Sequence, residues 1–438
     1  MNRSFNVRSE GQESARQSAL LVGLAVRGVP TWEAEDSLDE LSRLADTACL
    51  DVVERVLQVR QRIDPTYYIG KGKAGELAGL AEKMGAQLIV FDNDLSPAQM
   101  RNLEKLTEMR ILDRSAVILD IFARHARTRT AQVQVELAQL NYLMPRLTRH
   151  WTHLSRQAGG GAIRGMGAAG VRGPGETQLE TDRRIIRNRI AALSQELERI
   201  GAQLATGRKG RAETFKVALV GYTNAGKSTL MRALSGAEVL IQDQLFATLD
   251  STTRAVDLGQ RRILLTDTVG FIKRLPHHLF ASFRATLEET VEADLLLHVV
   301  DLSHPHYDAQ MEAVEGVLRD LGVEDKPAVV VYNKIDRLAD GEGELHLAAN
   351  SGQAGRVSVS ALTGAGLELL REKILYYAQE HDVTLDLRIP QSEGRLLAQL
   401  HDCGEVLDTQ YEAQEVRLLV RLGRTWAERW QLDRFVSR

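Results

Sequence analysis

The chain has 438 residues, 44% of them hydrophobic and 26% charged, and a formal net charge of −4. That length is too great for one hydrophobic core and predicts three or four domains of ordinary soluble composition. No apolar run reaches the ~18 residues of a membrane helix, and Met1 to Gln17 is polar rather than signal-like, so a cytoplasmic protein with no membrane span is expected; it is taken to be a monomer in solution.

Cys49 and Cys403 stand far apart without metal-ligand spacing and read as buried, reduced thiols. Charge is unevenly placed: from Arg101 to Lys216 there are 21 Lys and Arg against 11 Asp and Glu, leaving the remainder at −14. The net charge argues against a nucleic-acid partner, but a basic middle between acidic ends suits an element that meets a phosphate backbone.

Residues 1–18 read as a disordered tail. Residues 19–125 alternate strand and helix, which predicts a small sheet with helices against it. The expected elements are a buried strand at Leu20 to Val26, a helix to Thr47 with Ser37 and Glu40 as a capping box, and a strand at Val52 to Val59. A helix from Lys73 to Met84, a buried strand at Leu88 to Phe91 and a helix opened by Ser96 and Pro97 follow. Gly70-Lys71-Gly72-Lys73 invites a phosphate-loop reading, but the glycine spacing and the following Ser or Thr are missing. A helix start bearing lysines is the plainer account.

Residues 126–205 predict a helical hairpin. Val133, Leu137, Leu140 and Met144 share one face of a helix from Thr130 to about His153, which Pro145 should kink. Leu179, Ile186, Ile190, Leu193 and Leu197 form the stripe of a second helix, Thr177 to Ile200. The tip, residues 157–175, is glycine-rich and carries Arg164 and Arg172, a composition expected to be disordered alone. A mere linker has that composition too, yet an arginine-bearing loop between two long helices is shaped to probe a cleft of structured RNA. Arg183, Arg184, Arg187 and Arg189 crowd the second helix, as a solvated face or as RNA contacts.

After a polar linker, 206–213, residues 214–381 carry the chemistry. Val217 to Val220 is a strand-like apolar run, and Gly221, Gly226, Lys227 and Ser228 complete G-x-x-x-x-G-K-[ST] before a helix-like segment from Thr229. Backbone N–H groups along Gly221-Tyr222-Thr223-Asn224-Ala225-Gly226 can point at phosphate oxygens, Lys227 can neutralise them, and the Ser228 hydroxyl can hold magnesium. A second strand, Ile263 to Leu265, leads to Asp267-Thr268-Val269-Gly270, where the aspartate would hold Mg2+ through water and the glycine N–H would sense a γ-phosphate. A third strand, Ala328 to Tyr332, leads to Asn333-Lys334-Ile335-Asp336. The Asp336 carboxylate can accept hydrogen bonds from the N1–H and exocyclic amine of guanine, a donor pair that adenine lacks. Ser360-Ala361-Leu362 would set backbone N–H groups near the guanine O6. Four motifs in this order imply a domain that binds GTP and GDP, of the translation-factor-like P-loop class.

Residues 382–438 read as a small C-terminal α/β domain, with strands at Val383 to Ile389 and Glu415 to Leu422 around a helix near Gly394 to His401. Trp426 and Trp430 read as packing residues. The fold expected is therefore α/β and multidomain. Its parts are an N-terminal α/β domain with a long hairpin, a Ras-like P-loop domain with a mostly parallel sheet, and a small C-terminal domain.

The chain also resembles the HflX GTPases, a ribosome-associated family. The specific pieces are Phe91-Asp92-Asn93-Asp94-Leu95-Ser96-Pro97-Ala98-Gln99, Leu119-Asp120-Ile121-Phe122-Ala123-Arg124, Val135-Glu136-Leu137-Ala138-Gln139-Leu140, and the run Gly173 to Arg184. The resemblance implies binding to the large (50S) ribosomal subunit and its 23S RNA, with the glycine-rich tip reaching toward the peptidyl-transferase region. In some members of that family the GTP-bound form separates stalled ribosomes into subunits. Phe246-Ala247-Thr248-Leu249-Asp250 is similar to the family's first switch segment, which makes Thr248 a direct Mg2+ ligand; Thr252 and Thr253 lie nearby.

Where many related enzymes carry a water-orienting glutamine after Gly270, this chain has Phe271, so slow intrinsic hydrolysis completed by a partner is expected. His277 and His278 follow without an evident catalytic role. Asn224 is similar to the residue through which potassium-stimulated GTPases hold K+. The alternative function is a GTPase chaperone of large-subunit assembly, with an accessory ATP-binding activity of the N-terminal domain ranked below it.

Overall fold

The computed structural model describes residues 16–28, 30–147, 178–208, 214–236, 246, 251–259, 261–273, 287–339, 341, 343, 346, 355–380, 382–412, 414–423, 427 and 430–436. The glycine-rich tip with Arg164 and Arg172, and also Ala247, Thr248, Leu249, Asp250, His277, His278 and Trp426, lie outside these residues. The chain divides into two compact units. One comprises Met1–Ala202 with Gln242–Asp250 and Ile272–Thr286; the other comprises Gln203–Ile241, Ser251–Phe271 and Leu287–Arg438.

In the first unit, β1 (Gln17–Val26), β2 (Leu50–Arg60), β3 (Leu88–Phe91) and β4 (Arg110–Asp113) make a parallel sheet in the order β2-β1-β3-β4. Helices α1 (Thr31–Thr47), α2 (Lys71–Met84), α3 (Pro97–Thr107) and α4 (Arg114–His125) connect and follow them. Strands covered on both faces need near-continuous apolar runs, and Leu20, Val22, Leu24, Ile89, Phe91 and Ile111 pack with Ala74, Leu77 and Ala81 of α2 and Met100 and Leu103 of α3.

Ser96 caps α3 as expected: its Oγ accepts from Gln99 N at 3.2 Å while Gln99 Oε1 accepts from Ser96 N at 3.0 Å. The Ser37/Glu40 box is corrected. Helix α1 begins at Thr31, directly after Pro30, which takes the N-cap position without a side-chain cap. Ser37 and Glu40 are two turns inside, where Ser37 Oγ donates to Asp92 Oδ2 at 2.6 Å and Glu40 accepts from Arg114. Gly70 precedes α2 at φ +92°, so the Gly70 to Lys73 stretch is a helix start. Cys49 is half-exposed rather than buried and is a free thiol.

Helix α5 (Arg129–Leu143) ends in a 3-10 turn at Met144–Arg146, where Pro145 removes a helical donor, and α6 spans Gln178–Arg208. Val133, Leu137 and Leu140 interlock with Ile186 and Leu193, flanked by Met144, Ile190 and Leu197. Arg129 pairs with Glu196 at 2.8 Å and Arg189 with Glu136 at 2.7 Å; partners that run in opposite directions make the two helices antiparallel.

One buried polar network organises the first unit. Arg114 is 1% exposed and donates to Asp92 Oδ1 at 2.8 Å as well as to Glu40. Asp113 caps α4 through Ala116 N at 3.0 Å and accepts from Tyr142 Oη at 2.8 Å and Arg146 at 3.0 Å, tying α5 to the sheet. Burial raises the Asp113 carboxyl above the ordinary carboxylate range, with Arg146 opposing. Elsewhere in this unit Phe246 lies edge-to-face on Phe122 at 4.7 Å, and Lys273 pairs with Glu33 at 3.3 Å.

In the second unit, β5 (Lys216–Gly221), β6 (Thr252–Asp257), β7 (Arg262–Asp267), β8 (Leu295–Asp301), β9 (Ala328–Asn333) and β10 (Arg356–Ser358) form a sheet in the order β10-β9-β8-β5-β7-β6. It is parallel except for β6, which is antiparallel to β7. Val217, Leu219, Leu295, Leu297, Val299, Val329 and Val331 bury one face against α7 (Lys227–Ser235) and α9 (Leu367–Glu380); α8 is Tyr307–Asp320. A smaller antiparallel sheet, β11 (Asp382–Pro390), β12 (Glu405–Tyr411) and β13 (Glu415–Gly423) in the order β11-β13-β12, packs with α10 (Gly394–Cys403) around Leu387, Leu400 and Leu418, and Trp430 lies against it. Arg261 joins the two by donating to Ala378 O at 2.6 Å and Asp382 Oδ1 at 2.5 Å. Among the described residues no helix is long and apolar enough to cross a membrane.

Removing Arg114 takes a buried cation from two acidic side chains, Asp92 and Glu40, so Arg114→Ala should lower stability by about 3–5 kcal/mol in urea unfolding followed on the first unit. The paired change Arg114→Met with Asp92→Leu should recover much of that loss; equal stability of wild type and Arg114→Ala would show that the network carries no stability.

Candidate functional site

Parallel strands put their carboxyl ends on one edge of the sheet, and in the second unit β5, β7 and β9 bring Gly221, Asp267 and Asn333 to that edge. From Gly221 the chain turns through Thr223 and Asn224, the latter at φ +61°, into α7, whose N-cap Gly226 has φ +94°. The turn is held from outside. Phe271 N donates to Gly221 O at 3.1 Å, and Thr223 N donates to Phe271 O at 2.7 Å.

Two glycines are forced by crowding. A Cβ on Gly221 would lie 2.2 Å from Val299 O, and one on Gly226 would lie 2.3 Å from Asn333 Nδ2. Gly270 is nearly as tight, with Thr223 Cα at 2.9 Å and Lys227 Nζ at 3.0 Å from such an atom. Gly270 and Lys227 are therefore neighbours, which is what a γ-phosphate contact by both requires.

Lys227 is 6% exposed and its ammonium donates to Gly221 O at 3.0 Å and Tyr222 O at 2.8 Å. Burial pulls its pKa from 10.5 down to about 8; Asp267 opposes the shift and Lys334 adds to it. Ser228 Oγ donates to Asp267 Oδ2 at 2.6 Å, so a hydroxyl and a carboxylate, both hard oxygen donors, converge beside the loop. Thr268 is fully buried and its Oγ1 donates to Leu219 O at 2.6 Å, fixing the segment to β5. Val269 and Phe271 are buried too, and the Phe271 ring offers no hydrogen bond. Thr229 is half-buried in α7, and Asn224 is exposed.

The base-side residues form one connected set. Asn333 Nδ2 donates to Ala225 O at 2.9 Å and its Oδ1 accepts from Ala361 N at 3.0 Å. Ser360 Oγ donates to Asp336 Oδ1 at 2.5 Å, orienting an exposed carboxylate, and Leu362 is 73% exposed. The four short stretches 221–229, 267–271, 333–336 and 360–362 thus meet at one place, which can hold a phosphate chain at one end and a planar base at the other. Phe246 lies in the first unit, in contact with Phe122. Arg184 and Arg187 are exposed on α6 and Arg183 is half-exposed.

Sequence reasoning missed two residues here. Asp301, the last of β8, lies 2.6 Å from Lys334 Nζ. His298 is 5% exposed in the same strand, and burial with the nearby Lys227 ammonium pushes its pKa down to about 4, keeping it neutral. An aspartate ending an apolar strand and followed two places on by Ser303 was the available signal for Asp301.

Three family descriptions match the chain in succession: "GTP-binding GTPase N-terminal" over residues 35–123, "GTP-binding GTPase Middle Region" over 125–211, and "50S ribosome-binding GTPase" over 216–334. Among curated relatives, GTPase HflX of Escherichia coli (strain K12) is 45% identical over 369 residues, covering 84% of each chain. GTPase HflX of Magnetococcus marinus is 46% identical over 388 residues, covering 88% of each. Among solved structures, a GTP-binding protein from the archaeon Sulfolobus solfataricus in complex with GDP aligns at 24% identity and a TM-score of 0.42, over 83% of this chain and 99% of that one.

The Lys227 shift has a measurable sign. A bound phosphate favours the ammonium, so binding takes up a proton wherever free Lys227 is neutral. GDP affinity measured by calorimetry should be level below pH about 8 and fall by about tenfold per pH unit from there toward 10.5. A level profile across that range would contradict the burial of this amine.

Proposed function

The chain belongs to the HflX family of GTPases and hydrolyses GTP, and from that premise we propose that it binds the large (50S) ribosomal subunit and splits stalled ribosomes in a nucleotide-dependent way. The observation that carries the reading is the exposed arginine face of α6 at Arg184 and Arg187, supported by Arg183. That helix is gripped by α5, so its cations are presented on a rigid rod, as phosphate-backbone contact requires. Arg164 and Arg172 in the connecting tip would extend the contact to 23S RNA.

In this reading the roles along the chain are those of a switch. Gly221 to Thr229 would bind the phosphates, with Lys227 neutralising them, and Gly270 N–H would register the γ-phosphate. Asn333, Lys334, Asp336 and Ser360 to Leu362 would bind guanine. Ser228, Thr248 and Asp267 would hold Mg2+, which supplies charge neutralisation at the β- and γ-phosphates; the oxygen donors of Ser228 and Asp267 fit that hard cation. Phe271, buried and without a donor, cannot orient water, so the ribosome is the group expected to complete the site. Residues 19–125, 126–205, 214–381 and 382–438 are proposed as N-terminal domain, hairpin, GTPase domain and C-terminal domain of a cytoplasmic monomer; of the expected tail, 1–18, Gln17 and Ser18 belong to β1, and of the expected linker, 206–213, the first three residues belong to α6.

The second reading is an assembly chaperone, in which hydrolysis times release from immature subunits and nothing is split. Sedimentation of 70S ribosomes with the protein and a non-hydrolysable GTP analogue separates the two. Subunits should appear with the full chain and fail to appear with a variant lacking residues 159–170; binding without separation would favour assembly. Asn224, exposed within the loop at φ +61°, would offer its side-chain carbonyl to K+. GTP turnover should accordingly be faster in potassium than in sodium buffer, and equal rates would remove that cofactor.

A further inference from the structure

We infer that Asp301 is a positioning residue of the guanine site, which it serves by anchoring Lys334 along one wall of the slot for the base. The inference rests on the GTP-site reading and adds to it a residue outside the four nucleotide motifs.

Lys334 leaves β9 at φ +65°, a left-handed conformation that a long side chain seldom adopts without something to hold it. Its side chain is anchored at the far end by Asp301. The ammonium lies 2.6 Å from Asp301 Oδ2, and the other oxygen, Oδ1, accepts from Ser303 Oγ at 2.6 Å and from Ser303 N at 3.1 Å. Three donors leave the carboxylate little freedom to turn. Backbone register fixes the pair as well: Asp301 is opposite Asn333 in the parallel sheet, and Leu302 N donates to Asn333 O at 3.0 Å. The side chains are 16% and 13% exposed, so water competes weakly for either charge.

The path of the lysine gives the pair its function. Lys334 Cε lies 4.0 Å from where a Cβ of Gly226 would stand, so the methylene stem runs from the end of β9 past the phosphate loop to Asp301. Asp336, two residues on, presents its carboxylate under the hold of Ser360. A stem fixed at both ends is a ready apolar wall for a purine; a stem free at the ammonium end must be ordered each time a nucleotide binds. Asp301 also keeps the Lys334 charge neutralised close to Lys227, whose ammonium feels Lys334 as a like charge.

The test is a cycle on the full chain: Asp301→Asn, Lys334→Met and the double variant, with dissociation of a fluorescent GDP analogue followed by stopped flow. Each single variant should release nucleotide about tenfold faster, and the double variant no faster than the worse single, because both changes cut one interaction. In steady-state GTP hydrolysis the change should fall on KM rather than kcat, which a general loss of folding would not produce. Ser303→Ala, which frees one side of the carboxylate, should act in the same direction and more weakly. Wild-type release by Asp301→Asn, or effects that multiply in the double variant, would overturn the proposal. Asp336→Ala separates this failure from that of the underlying reading: GDP bound as tightly by that variant as by wild type would mean that the base is not read here at all.

Discussion

The side-chain amide of Asn333 donates to Ala225 O in the phosphate loop and accepts from Ala361 N in the segment after β10. One planar group therefore holds together two stretches more than a hundred residues apart in the chain, and both ends of the site depend on it. Its reach explains the crowding around it. Gly226 has no room for a Cβ because the Asn333 nitrogen occupies that space, and the loop can approach so closely only because the position is glycine. Crowding at Gly221 has a different source, the carbonyl of Val299 in the next strand, so the sheet and the base-reading segment each press on the loop from one side.

Charge in the site is balanced over short distances. Lys227 is buried, with two carbonyl oxygens as its hydrogen-bond partners among the described residues, and Asp267 supplies the opposing field; Lys334 has its own counter-ion in Asp301. Two cations can be held close to one phosphate-binding turn because each is matched by a carboxylate delivered from the end of a neighbouring strand. The sheet order β9-β8-β5-β7 makes that possible, since strands adjacent in space supply residues far apart in sequence.

Much of this was legible from residues alone, for reasons that differ by element. The phosphate loop and the strands before Asp267 and Asn333 stood out because glycine turns and buried parallel strands leave short, dense signatures. The α5–α6 interface was readable from its periodicity, and the observed core of Val133, Leu137, Leu140, Ile186 and Leu193 is drawn from those two stripes. Helix α1 was misjudged because Ser37 and Glu40 satisfy the spacing of a capping box, while their partners, Asp92 and Arg114, become neighbours only through the tertiary fold. Strands β4, β6, β8 and β12 escaped notice: β4 is four residues long, and β6 mixes polar and exposed positions along its length. Asp301 went unread for the same reason as the Arg114 network: the strand end and Ser303 mark it locally, but the lysine it meets comes 33 residues later.

The contact between Phe122 and Phe246 bears on how the polypeptide is made. Phe122 is 1% exposed in the finished chain, with the Phe246 ring 4.7 Å away. During synthesis that ring emerges about 120 residues later, a delay on the order of ten seconds at typical elongation rates. The first unit thus cannot complete its packing when its own long helices have left the ribosome. For that interval Phe122 lacks the Phe246 ring, and this part of the packing waits on a segment translated after the phosphate loop.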